Sequence, residues 1–94
     1  MIKGVTPNEY NEILNILNKY DGEFFAYGSR VKGDFSKSSD LDILIKSNNY
    51  ENIINNLKSD FDNSHISYIV NFTNANTISE DFYNLIKNDL VKIK

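Results

Sequence analysis

The amino-acid sequence predicts a single α/β domain, with a small β-sheet packed against amphipathic helices. Two observations favour this fold class. Segments with apolar residues at i, i+3, i+4 and i+7 alternate along the chain with short apolar runs that are rich in aromatic and β-branched residues. No linker, repeat or low-complexity block divides the 94 residues. We therefore expect residues 1–94 to form one unit.

A helix is predicted near the start of the chain. Thr6 can cap it, Pro7 suits the first helical position, and Glu9 completes a capping box. We expect the helix to end at Asp21 and Gly22, with Gly22 as a left-handed cap. Its apolar face would consist of Tyr10, Ile13, Leu14 and Leu17.

Strands and helices are predicted to alternate over the rest of the chain. Residues 23–27 suit a buried strand, which runs into a short helix opened by Ser29. Thr77 and Glu80 form a second capping box, and the helix behind it would turn Phe82, Leu85 and Ile86 to the core. The other predicted elements are strands at 41–45 and 66–72, a helix at 50–61 and an edge strand at 90–93.

The composition limits the class of protein. Hydrophobic residues make up 40% of the chain, which is enough for one compact core. The net charge of −3 argues against strong binding to nucleic acids. The absence of Cys excludes disulfides, zinc–thiolate sites and thiol catalysis. Because the chain shows neither a membrane-spanning run nor a signal peptide, we expect a cytoplasmic protein with no membrane association.

Asp40 and Asp42 are predicted to place two carboxylates close together. Residues two apart on a strand project from the same face, with their Cβ atoms ~6–7 Å apart. Like charges at this distance raise each other's pKa unless a cation neutralises them, and hard oxygen ligands suit Mg²⁺. By itself the pattern also fits a turn residue, Asp40, followed by a solvent-facing Asp42.

Gly28 and Ser29 are predicted to form a phosphate cradle. A strand that ends in Gly and passes into a helix leaves backbone N–H groups free, and Gly28 removes the Cβ that would block a phosphate. The Ser29 hydroxyl adds a donor, while Arg30 and Lys32 add positive charge. Alone, these residues also fit an ordinary strand-to-helix turn. With an acidic pair ten residues further on, they would hold a triphosphate and its Mg²⁺.

Together the two motifs resemble the signature of the DNA polymerase β nucleotidyltransferase superfamily. Residues 27–33 and 39–43 carry its pattern of Gly-Ser, a ten-residue gap and Asp-x-Asp. The chain resembles more closely the minimal nucleotidyltransferases, since residues 70–72, 78–82 and 86–93 are similar to the end of those small domains. This resemblance implies the nucleotidyltransferase fold, a small mixed β-sheet packed with amphipathic helices, over residues 1–94.

The resemblance implies a role for each motif residue. Nucleotide binding falls to Gly28, Ser29, Arg30 and Lys32. Lys32 replaces an Arg that is common in the family, which keeps the charge but loses the planar fork. Mg²⁺ binding and catalysis fall to Asp40 and Asp42.

The family's third catalytic carboxylate corresponds to Asn71 in this chain. That carboxylate helps to hold a second metal and accepts the proton of the attacking hydroxyl. Asn71 cannot act as an anion, although its carbonyl oxygen can ligate a metal weakly. We therefore expect retained Mg-ATP binding and slowed or absent AMP transfer. The alternative is that Asn71 is misaligned with the family's carboxylate by one residue and that Asp60 or Asp62 supplies the base. The sequence does not distinguish a natural from an engineered replacement of Asp by Asn at this position.

The resemblance also implies a partner. Minimal nucleotidyltransferases are often encoded beside a HEPN-domain ribonuclease and serve as its antitoxin, and some transfer AMP from ATP to a tyrosine of that partner. We expect this Mg-dependent activity toward a HEPN-type toxin encoded nearby. One alternative is an inactive or weakened antitoxin that neutralises its partner by binding. Another is a small nucleotide-binding domain unrelated to toxins.

Overall fold

Helices and strands alternate along the part of the chain that the computed structural model describes, residues 2–94. In chain order the elements are α1 (Pro7–Leu17), β1 (Glu23–Tyr27), α2 (Ser29–Lys32), β2 (Leu41–Lys46), α3 (Tyr50–Asp62), β3 (Val70–Asn74), α4 (Glu80–Ile86) and β4 (Val91–Lys92). The strands form one sheet in the order β3-β2-β1-β4. β2 and β3 are parallel, and the other pairs are antiparallel. The predicted fold class, with a small mixed sheet, is confirmed.

The alternation along β2 divides its side chains between two layers. Leu41, Ile43 and Ile45 are completely buried in the cluster that α1 and α3 form with one face of the sheet. Because successive residues of a strand point to opposite faces, Asp42 and Leu44 point the other way. On that face Leu44 packs in a smaller cluster with residues of α4. The larger core therefore leaves the second face only partly covered.

The start of α1 is as predicted, and its end is not. The Thr6 hydroxyl accepts a hydrogen bond from the N–H of Glu9 at 3.2 Å, and the N–H of Thr6 donates to the Glu9 carboxylate at 2.9 Å. The helix ends at Leu17, so the predicted left-handed cap at Gly22 is wrong. Glycine is favoured at this position for two other reasons: its φ is +131°, and a Cβ there would lie 2.9 Å from the Cβ of Ser47, just beyond β2.

The predicted third strand begins too early. β3 starts at Val70 and not at residue 66, because its neighbour β2 starts only at Leu41. The first bond of this pair runs from the N–H of Leu41 to the carbonyl of Ile69 at 2.9 Å. Residues 66–69 therefore have no residues of β2 opposite them with which to pair.

The cap and the core face of α4 also differ from the prediction. The N-cap is Ser79, whose hydroxyl accepts a hydrogen bond from the N–H of Phe82 at 3.1 Å, whereas the Thr77 hydroxyl donates to a turn carbonyl. Ile86 is buried and Phe82 packs beside it, but Leu85 is 77% exposed. The prediction that Leu85 lies in the core is therefore wrong, because α4 packs on the sheet only through the narrow stripe that contains Phe82 and Ile86.

Within residues 2–94, none of the helices has the length and apolar character that crossing a membrane requires.

Replacement of Leu57 by Ala is expected to lower the free energy of unfolding by about 2–5 kcal/mol, because Leu57 is fully buried on α3 and its truncation leaves a cavity. Leu85→Ala is the matched control, since this leucine is largely exposed on α4; its effect should stay within about 0.5 kcal/mol. Urea unfolding followed by circular dichroism measures both values. Equal losses would contradict the layer assignment.

Candidate functional site

The register of three strands brings the motif residues together at one end of the sheet. Tyr27, the last residue of β1, pairs with Asp42 on β2, and Asp42 pairs with Asn71 on β3. Gly28 follows directly after Tyr27, and Asp40 lies two residues before Asp42, just outside β2. The predicted phosphate and metal motifs are thus neighbours in space.

The side-chain amide of Asn71 joins the two carboxylates. Its Nδ2 atom donates to Asp40 Oδ2 at 2.8 Å and to Asp42 Oδ1 at 3.3 Å. Two carboxylate oxygens therefore converge on a single amide NH₂ group, whose hydrogens carry partial positive charge. In the register of β2 and β3, Asn71 lies directly opposite Asp42.

Asp42 lies in an environment that disfavours its charge. Burial raises the pKa of the Asp42 carboxyl above its ordinary value, and the nearby Asp40 carboxylate raises it further. The hydrogen bond from Asn71 acts in the opposite direction and offsets part of this shift in the pKa. A cation at this point would remove the repulsion between the two carboxylates.

Gly28 is required by the position of the Asp42 carboxylate. A Cβ on Gly28 would clash with Asp42 Oδ2, so any side chain there would have to displace the carboxylate. Its backbone also has φ +89° and ψ −163°, a conformation that only glycine adopts readily. Gly28 was predicted for the access that it gives to phosphates; its contact with Asp42 is a second reason for glycine that the sequence did not reveal.

The start of α2 offers free backbone donors beside this carboxylate. The N–H groups of Val31 and Lys32 both donate to the carbonyl of Gly28 at 3.1 Å. The N–H groups of Ser29 and Arg30 come first in the helix, where an α-helix provides no acceptor. An anion at these amides would lie next to a cation at the acidic pair.

The donor set fits a divalent cation that keeps ligands from a substrate. Among residues 2–94, no group of three or more His, Cys, Asp or Glu side chains forms a metal cluster. The oxygens of Asp40 and Asp42 nevertheless converge on one point, and half a turn of the Asn71 amide would direct its carbonyl oxygen there. Mg²⁺ characteristically takes one or two carboxylates, with water and phosphate oxygens as the other ligands.

The Arg30 side chain is turned away from the site, so the structure does not support the predicted contact of its positive charge with a nucleotide. The side chain is only 4% exposed, and Nε donates to the carbonyl of Ser39 at 2.7 Å. The other guanidinium nitrogens donate to the carbonyls of Gly4, Ser36 and Lys37. These bonds and its burial turn the guanidinium into the protein. By contrast, Lys32 lies at the surface, 3.8 Å from a carboxylate oxygen of Asp89.

The structure argues against Asp60 and Asp62 as substitutes for Asn71. Both lie on α3, which packs on the face of the sheet opposite to Asp42. Asp60 accepts a hydrogen bond from the hydroxyl of Tyr20 and pairs with Nζ of Lys19 at 3.0 Å. Its carboxylate therefore belongs to the contact between the end of α1 and α3.

A comparison with known families accounts for this arrangement. The family described as "Nucleotidyltransferase domain" matches residues 8–94. The chain belongs to this family. It is also similar to the "Probable protein adenylyltransferase MntA" of Haemophilus influenzae, with 37% identity over 76 residues that cover 79% of this chain and 67% of that protein. The resemblance to the minimal nucleotidyltransferases is confirmed, and a nucleotidyltransferase-like function follows.

Gly28→Ala is expected to destabilise this nucleotidyltransferase domain more than Gly33→Ala does. Both glycines have positive φ, so both variants should lose stability from the backbone conformation alone: roughly 1–2 kcal/mol at the left-handed Gly33, and more at Gly28, whose conformation is essentially restricted to glycine. At Gly33 the nearest atom to a new Cβ is the flexible Lys3 side chain at 3.4 Å, whereas at Gly28 the new Cβ also displaces the Asp42 carboxylate. Urea unfolding compares the two variants, and equal losses would contradict this expectation.

Asp42→Asn is expected to stabilise the metal-free domain at pH 7. Because the fold raises the pKa of Asp42, ionisation costs stability as the pH rises through that pKa; below the ordinary value of 3.8 the cost disappears. The gain should therefore shrink as the pH is lowered toward 3.8. Thermal unfolding in a chelator between pH 3 and 8 measures it. Asp34→Asn, in the exposed loop, is the control, and a gain of equal size there would refute the prediction.

Proposed function

We propose that this domain transfers AMP from Mg-ATP to a tyrosine hydroxyl of a HEPN-type toxin and thereby acts as its antitoxin. The observation that carries the proposal is the convergence of two carboxylates beside the free amides of a helix start. The similarity to a protein named as a probable adenylyltransferase supports AMP as the transferred group. The net charge of −3 favours a protein acceptor over a nucleic acid.

In the proposed complex the phosphates lie against the start of α2. The backbone N–H groups of Ser29 and Arg30 would donate to phosphate oxygens, and Gly28 leaves room for them. The Lys32 ammonium adds positive charge nearby at the surface. Asp40 and Asp42 would hold Mg²⁺, which when bound neutralises charge on the phosphates.

The proposed reaction is an in-line displacement at the α-phosphorus. The tyrosine oxygen forms a bond to this phosphorus, the bond between the α-phosphorus and the bridging oxygen breaks, and pyrophosphate leaves with that oxygen. The hydroxyl proton must pass to a base or to water. Asn71 can accept a hydrogen bond from the hydroxyl through its carbonyl oxygen, but it cannot take the proton as a carboxylate would. We therefore propose slow transfer.

A second candidate function is neutralisation of the toxin by binding alone. The observation that favours it is the amide of Asn71, which donates to both carboxylates and so satisfies them without a metal. A domain arranged in this way needs no cation to keep its acidic pair together. It could occupy a partner surface in the absence of ATP.

Asn71→Asp is expected to raise the rate of AMP transfer about 10²-fold or more, because it restores a base of the kind that contributes 10²–10⁴-fold to catalysis. The domain is incubated with α-labelled ATP, Mg²⁺ and the product of the adjacent HEPN-type gene, and label on that product is counted. Asn56→Asp is the matched control: it adds the same charge on the exposed side of α3, across the sheet. Asp40→Asn with Asp42→Asn should abolish the transfer.

The outcomes separate the two candidate functions. Label that appears with Asn71→Asp but scarcely with the natural chain would identify the missing carboxylate as the limiting feature. Equal labelling by both proteins would refute this role of Asn71. Should neither protein transfer label, while the unlabelled complex silences the toxin without ATP, the binding function is correct and the enzyme proposal fails.

A further inference from the structure

Arg30 ties the loop between α2 and β2 to the body of the protein. Its Nε donates to the carbonyl of Ser39 at 2.7 Å, and Nη2 donates to the carbonyls of Lys37 at 3.0 Å and Ser36 at 3.4 Å. Nη1 donates to the carbonyl of Gly4, near the start of the chain. One buried side chain thus holds three carbonyls of this loop.

An aromatic ring also packs against the guanidinium of Arg30. Its Cζ atom lies 3.6 Å from the ring centre of Tyr68, a cation–π contact of close range. The Tyr68 hydroxyl donates to the Glu9 carboxylate at 3.2 Å, and Glu9 also forms the capping box of α1. The orientation of Arg30 is therefore supported from α1 and from the segment before β3.

Asp40 depends on this loop for its position. It lies outside β2, which begins at Leu41, so the strand ladder does not include it. Its preceding peptide carries the Ser39 carbonyl that Arg30 binds. Within the loop, the N–H of Ser36 donates to the Ser39 hydroxyl at 2.9 Å, but the surrounding residues are exposed. The bonds from Arg30, whose side chain is only 4% exposed, attach the backbone of this segment to the body of the protein.

We infer that Arg30 is a positioning residue that holds Asp40 against Asp42 and so preforms the cation site; the inference rests on the proposed Mg²⁺ function of that pair. A guanidinium suits this task because its rigid fork of five N–H donors can serve several carbonyls while its face stacks on an aromatic ring. A lysine ammonium in its place would keep the charge but lose the fork and the stacking.

Charge and geometry predict opposite effects on the affinity for a cation. By charge alone, removal of the positive charge of Arg30 would strengthen cation binding, because electrostatic repulsion is lost. A loosened Asp40 would weaken binding, because the ligands must be ordered when the cation arrives. Whether a neutral replacement of Arg30 raises or lowers the affinity for the cation therefore distinguishes the effect of charge from the effect of position.

The test measures Mn²⁺ binding to the purified domain by electron paramagnetic resonance of the free ion. Arg30→Gln and Arg30→Lys are both expected to weaken binding by about tenfold or more, as is typical when groups behind metal ligands are removed. Leu57→Ala is the control: it loses stability in the core but should keep the natural affinity while folded. Tighter binding by Arg30→Gln, or natural affinity in Arg30→Lys, would overturn the inference.

A second measurement separates this inference from the proposed function. Amide ¹⁵N relaxation of the metal-free protein reports the order of the Asp40 backbone, and the order parameter should fall from about 0.85 to below about 0.6 in both Arg30 variants. An Asp40 amide that stays rigid refutes the positioning role. If the natural protein binds no Mn²⁺ but Asp40 still loosens in the variants, the positioning role stands and the cation site fails.

Discussion

The contact between the Asp42 carboxylate and the backbone of Gly28 is the constraint on which the rest of the site depends. The carboxylate lies so close to Gly28 that no side chain fits between them, and the pairing of Tyr27 with Asp42 sets this approach. Because β1 ends there, α2 must begin beside the carboxylate, with its first amides still unbonded. A single register thus brings acidic and amide groups to one place without any bound ligand.

Apolar burial on the opposite face of the sheet offsets the energetic cost of holding two carboxylates close together. The α1 and α3 layer covers the completely buried Leu41, Ile43 and Ile45, so most apolar burial of β2 lies away from the acidic residues. On the site face, the Tyr27 hydroxyl and the Thr73 hydroxyl lie 2.9 Å apart and hydrogen-bond across β2. The larger apolar core and the acidic residues therefore lie on opposite faces of the same strand.

Local patterns predicted much of the fold and the neighbours within the site, while contacts between distant segments decided the rest. The capping box of Thr6 and Glu9 and the apolar run at 41–45 are local patterns, and the helix start and the strand that they predict were confirmed. The roles of Gly22 and Arg30 depend on what meets them in space, Ser47 in one case and Tyr68 in the other. No spacing in the sequence indicates that an arginine next to a phosphate-binding motif turns inward to bind loop carbonyls.

The exposure of the Asn71 side chain affects how fast Asp40 and Asp42 can exchange its amide for another ligand. The amide lies at the surface, and exposed side chains change rotamer within picoseconds to nanoseconds. Releasing Asp40 and Asp42 therefore requires the turn of one side chain and no movement of a helix or strand. For the proposed Mg²⁺, the slow step in loading the site would then be the loss of water from the incoming ion, which magnesium releases reluctantly.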